Sequence, residues 1–95
     1  MRSAAGAALE LRGGQLAGRF YLEGERLRGG DAIELATFGG GWVLGRFYPE
    51  RCPMRATLYV AVSNGESVHF VIPEGALVRR PASIGESFGK VARTG

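Results

Sequence analysis

Glycine breaks this chain too often for a long helix. It fills 16 of the 95 positions, and it loses more backbone freedom on ordering than any other residue. Before residue 80 no apolar pattern of helical period survives the interruptions. What fits between them are short runs in which apolar and polar residues alternate, the period of a half-buried strand. Residues 8–12 form the first run, turned by Gly13-Gly14, and residues 19–22 the second, closed by Glu23-Gly24-Glu25. Arg26-Leu27-Arg28 leads through Gly29-Gly30-Asp31 into residues 32–38, which Gly39-Gly40-Gly41 ends. Residues 42–48 come next, and Pro49 and Pro53 are expected to close that strand because proline lacks the ladder donor. Residues 57–63 are rich in β-branched and aromatic side chains. Asn64-Gly65 then signals a hairpin turn into residues 67–72.

Five or six short antiparallel strands in so few residues predict an all-β fold, a small barrel whose closure hides strand edges. Alternation places Ile33, Leu35, Val43, Phe47, Leu58, Val60, Val62, Phe70 and Ile72 in its core. Residues 1–81 are expected to form one barrel domain, with its core over about residues 8–81. Residues 82–95 are expected to be a tail. In that tail Ser83 and Glu86 have capping-box spacing, and Ile84, Phe88 and Val91 recur at helical spacing. Gly85 and Gly89 oppose a helix, so the segment reads as a short helix or a disordered tail.

Composition narrows the class further. A 45% hydrophobic and 22% charged chain is neither disordered nor membrane-spanning in type, because no apolar run approaches about 18 residues. The single cysteine, Cys52, excludes an internal disulfide framework, and no export signal is expected at the N-terminus. A cytoplasmic setting is expected. The net charge of +3 invites a nucleic-acid reading, yet Arg79, Arg80, Lys90 and Arg93 against Glu86 supply all of it. Residues 1–78 are neutral. Arginine's dominance over lysine, beside abundant glycine and alanine, is the pattern a GC-rich genome produces.

The order of segments resembles a known superfold. Leu27-Arg28-Gly29-Gly30-Asp31-Ala32-Ile33-Glu34-Leu35 is similar to the L-x-x-G-D-x-V-E-V segment of SH3-like barrels. Trp42-Val43-Leu44-Gly45-Arg46-Phe47 resembles the W-x-x-G/A-R-V strand of their Tudor and Agenet branch. Residues 57–71 resemble the next hairpin of that superfold, and Pro73-Glu74-Gly75-Ala76-Leu77-Val78-Arg79-Arg80-Pro81 is similar to its closing segment. The pattern spans about residues 18–81. It is also similar to small uncharacterised bacterial domains of phages and mobile elements. A divergent barrel such as an OB-fold fits the same strands. The Tudor likeness implies an aromatic cage for methylated lysine or arginine, where ring faces attract the cation. Trp42 and Tyr59 are the positions that carry over to it.

Catalysis is not expected. Cys52 and His69 are the only thiol and imidazole, with no Asn or Asp signature to orient the ring. Zinc is excluded by ligand count, and no cofactor is implied. Gly85-Glu86-Ser87-Phe88-Gly89-Lys90-Val91 imitates a phosphate loop but has the wrong glycine spacing, with Val91 where a hydroxyl belongs. Glu23 and Glu25 share a turn as solvated charges. What remains is a binding surface. Trp42, Arg46 and Tyr48 project from one side of a strand, with Tyr59 and His69 on the outward side of its neighbours and Arg79 and Arg80 as a charged rim. Such residues suit a protein partner, which is the leading expectation. They also suit stacking on nucleic-acid bases, the alternative.

Overall fold

The computed structural model describes residues 5–51, 53–62 and 65–81. These form nine short strands and one helical turn: β1 (Ala7–Ala8), β2 (Glu10–Arg12), α1 (Gly14–Ala17), β3 (Arg19–Leu22), β4 (Glu25–Arg26), β5 (Ala32–Ala36), β6 (Trp42–Glu50), β7 (Arg55–Ala61), β8 (Ser67–Val71) and β9 (Leu77–Arg79). The fold is all-β, in two antiparallel sheets. One has six strands in the order β1-β9-β5-β6-β7-β8, and the other has three in the order β2-β3-β4. The strand count exceeds the expected five or six because the first run divides and because Glu25–Arg26 and Leu77–Arg79 form strands of their own. Ala8 pairs with Leu77 in one sheet and Glu10 with Tyr21 in the other, so the chain changes sheets at Leu9. The expected tail, residues 82–95, and Cys52 lie outside the described residues. No helix among the described residues is long and apolar enough to cross a membrane.

The core lies between the sheets. Phe20, Leu22 and Leu27 come from the smaller sheet and its flank. Ile33, Leu35, Phe47, Ala56, Leu58 and Val78 come from the larger one, with Met54 and Ile72 flanking its strands. Phe20 meets Phe47 edge-on, ring centroids 5.8 Å apart, the favoured aromatic geometry. Of the side chains that alternation placed in the core, Ile33, Leu35, Phe47, Leu58 and Ile72 are buried, whereas Phe20, Leu22, Leu27, Met54, Ala56 and Val78 were not expected there. Leu58 is fully buried while Tyr59 is half-buried, so the register of β7 stands. Val43 and Val60 are partly buried against the core.

Two expected core residues are exposed. Phe70 keeps 40% and Val62 41% of their surface. Phe70 lies on the inward face of β8, but β8 is the end strand of its sheet and the smaller sheet does not extend over it. Val62 lies just beyond β7. Phe38, expected to end a strand, is instead the fully exposed tip of the β5–β6 turn, which Thr37 closes through hydrogen bonds with Gly41.

Pro49 also departs from expectation, since β6 runs through it to Glu50. Phe47 N–H donates to Asp31 O at 2.8 Å, so the Pro49 nitrogen, two residues on, faces the same side. It lies past the start of β5, where no ladder acceptor waits, and the missing donor costs nothing. Gly45 is required for packing. A Cβ there would lie 2.6 Å from Tyr59 O and 2.8 Å from Leu58 Cδ1. Leu58 therefore seats over a bare backbone in the middle of β6.

Candidate functional site

The outward face of the larger sheet carries the predicted residues other than Arg80, in two groups. Strand period puts Trp42, Leu44, Arg46 and Tyr48 on one side of β6. The ladders set Arg46 opposite Tyr59, and Tyr59 opposite His69. Tyr48 and Tyr59 meet edge-on at 5.0 Å, and Tyr59 stacks on His69 at 4.8 Å with an interplanar angle of 17°. Arg46 Nη1 donates to Gly30 O at 2.8 Å. This bond carries the side chain from β6 toward the turn before β5, beside buried Ala32. Arg46, Tyr48, Tyr59 and His69 thus form one continuous array over β6, β7 and β8.

Trp42 belongs to the second group. The Arg79 guanidinium lies 3.9 Å from its ring centroid, and Arg79 Nε donates to Glu34 Oε1 at 2.8 Å. Glu34 faces Arg79 on one side and Leu44 on the other, so half-exposed Leu44 bridges the two groups. Trp42 also packs close to Gly6, where an added Cβ would meet Cη2 at 3.0 Å. The indole therefore covers the β1 end of the sheet and presents its remaining surface beside Arg79.

Arg80 stands apart from the expected rim. Neighbouring strand residues point to opposite sides, and the Arg80 side chain is only 15% exposed. Its Nε lies 3.4 Å from Glu25 Oε1 and its Nη1 3.6 Å from Asp31 Oδ2. Nη2 donates to the Arg26 carbonyl at 3.4 Å. Arg80 ties the end of β9 to β4 rather than facing outward with Arg79. The two aromatics implied for a cage also fall apart. Tyr59 is opposite Arg46, four residues along β6 from Trp42, a separation of about 13 Å at strand rise. Arg79 already occupies a face of the indole.

A third aromatic–arginine pair escaped the sequence reading. Arg12 lies 4.3 Å from the Tyr21 ring centroid, on the smaller sheet, and Arg12 Nη2 donates to Glu10 Oε1 at 2.9 Å. That hydrogen bond raises the Arg12 pKa still further above its ordinary value. The pair of alternate positions, Glu10 and Arg12, is the signal, but only the β2–β3 register brings Tyr21 beside them. Between β2 and the end of β8 runs an open cleft of about 600 Å³, with Leu11, Phe20 and Met54 among its apolar lining and Glu10, Arg55 and Glu74 among its polar lining. Among the described residues no cluster of three or more His, Cys, Asp or Glu side chains is placed to hold a metal ion.

No protein-family model, curated protein or solved structure matches the chain.

Proposed function

We propose that this chain is a non-enzymatic adaptor or regulator of SH3-like build, which acts by binding another protein through the outward face of β6 and β7. The observation that carries this reading is the pre-assembled array of Arg46, Tyr48, Tyr59 and His69. Its rings already hold one another at 4.8–5.0 Å. Tyrosine and tryptophan offer large contact area for few rotatable bonds, so little entropy is lost when a partner docks. Arginine among them is the composition of interface hot spots. The segments that resemble SH3-like barrels fall in one meander, β5 to β8, with β9 returned against β5, which supports the proposed build.

A nucleic-acid partner is the alternative, favoured by stackable rings beside arginine. Electrostatics weigh against it. Arg79 is paired with Glu34, and Arg80 lies between Glu25 and Asp31, so two of the cations in the basic C-terminal end are locally balanced. Counter-ion release supplies most non-specific nucleic-acid affinity, and this face has little charge to release it with.

Binding of DNA and RNA measured across a salt series separates the two. A nucleic-acid binder loses affinity steeply as salt rises, and tight, salt-steep binding would reverse the assignment. For a protein partner, Arg46→Ala is expected to weaken binding by about 1–3 kcal/mol, the range of a central interface residue, with the melting transition retained. Arg46→Ala and Tyr59→Ala variants that both fold and bind an identified partner at wild-type strength would remove this face from the function.

A further inference from the structure

We infer that β8 is a self-association edge, across which a second copy of this chain adds its own β8 antiparallel to extend the larger sheet. This surface is the backbone rim of the sheet, distinct from the aromatic face. Ile72 N–H donates to Ala56 O, and Val62 N–H donates to Glu66 O, both at 2.8 Å. Even-numbered residues of β8 therefore turn their backbone groups toward β7, and Ser67, His69 and Val71 turn theirs outward. Among the described residues no strand pairs with that side. All of β8 is exposed.

Natural edges are blunted by charge, proline, bulges or brevity. The edges of the smaller sheet obey that rule: β2 carries Glu10 and Arg12 in three residues, and β4 is only Glu25–Arg26. The β1 edge is two residues long. β8 has none of these protections. It is five residues, Ser-Val-His-Phe-Val, without Asp, Glu, Lys, Arg or proline, and its ladder with β7 is unbroken from Ser67 to Val71.

Charge selects the occupant. An edge with no Asp, Glu, Lys or Arg gives a charged foreign strand nothing to pair with, and favours a strand that likewise carries none. β8 is such a strand. Laid antiparallel on itself about His69, it sets each outward-facing backbone residue against another: His69 against His69, and Ser67 against Val71. On the inward face the same register sets Val68 against Phe70. These side chains are 50% and 40% exposed in the single chain, at the rim of the core where the smaller sheet stops. Self-pairing covers them with each other and satisfies the open ladder in one step.

Sedimentation of the full chain from micromolar to millimolar concentration is expected to show a monomer–dimer equilibrium. His69→Pro removes an outward N–H that the β7 ladder does not use, and Phe70→Lys places a charge in the paired inward row. Each should raise the dimer dissociation constant by about tenfold or more, while Leu16→Lys, at an exposed position on α1, leaves it unchanged. Amide exchange on the unmodified chain reads the same edge without mutation. The His69 and Val71 amides should gain protection as concentration rises. A monomer at every concentration, or edge amides that exchange equally fast throughout, would overturn the proposal.

Discussion

β7 and β8 are the two arms of one hairpin, and their sequences look alike. Both alternate, both are rich in β-branched and aromatic residues, and both carry a large apolar side chain in register on the inward face, Leu58 opposite Phe70. Leu58 is fully buried, whereas Phe70 keeps 40% of its surface. The difference lies in position. β7 has β6 on one side and β8 on the other, while among the described residues β8 has only β7. Local pattern sets which way a side chain points, and sheet order decides whether anything waits there.

The largest expected effect tests that contrast directly. Leu58→Ala should cost about 2–5 kcal/mol, the range for truncating a buried leucine in a core that cannot fully collapse. Phe70→Ala should cost about 1 kcal/mol, since much of its ring is already in water. Urea denaturation of dilute protein measures both. Equal losses would mean that β8 is covered in solution, and repeating the pair at high concentration shows whether a second copy provides the cover.

Next in size is Gly45→Ala. The added methyl would meet a carbonyl oxygen and the Leu58 side chain well inside contact distance. Overpacking of this kind costs about 1–3 kcal/mol. The effect belongs to the β7 side of the comparison, because Leu58 is the group that must move. Combining it with Leu58→Ala should recover part of the loss, as neighbouring sites couple. Additive losses would mean that the backbone of Tyr59, rather than the leucine, sets the limit.

These contacts also mark what could be read in advance. The strand character of residues 42–48, 57–61 and 67–71, and the inward turn of Ile33, Phe47 and Leu58, come from period alone. So does the common outward side of Arg46, Tyr48, Tyr59 and His69, because hairpin register is set by the same alternation. The exposure of Phe70 could not be read, since it depends on which strand ends the sheet. Pro49 inside β6 depends on where β5 begins. The pairing of Arg79 with Trp42 needed β9 to return beside β5, a contact across more than forty residues. The inward turn of Arg80 needed Glu25 and Asp31 to arrive from two different segments.

The smallest expected effect concerns two hydroxyls on the outward face of the hairpin. Thr57 on β7 and Ser67 on β8 both point away from the core by strand period. Thr57 is nevertheless fully buried, and its Oγ1 has no hydrogen-bond partner among the described residues. It stands between Tyr48 and Val71 across the two ladders, two residues from Tyr59 on the same face of β7. Ser67 is exposed, so water satisfies it. A buried hydroxyl without a partner loses its hydration for nothing in return, a cost of about 1–3 kcal/mol. Thr57→Val keeps the branched shape and removes that loss, so it should stabilise the fold by about 1 kcal/mol. Ser67→Val should leave stability nearly unchanged. Thermal and urea unfolding of both variants give the comparison. Loss of stability in Thr57→Val would show that the hydroxyl is satisfied in solution by a bound water, and that the floor of the aromatic array is wet.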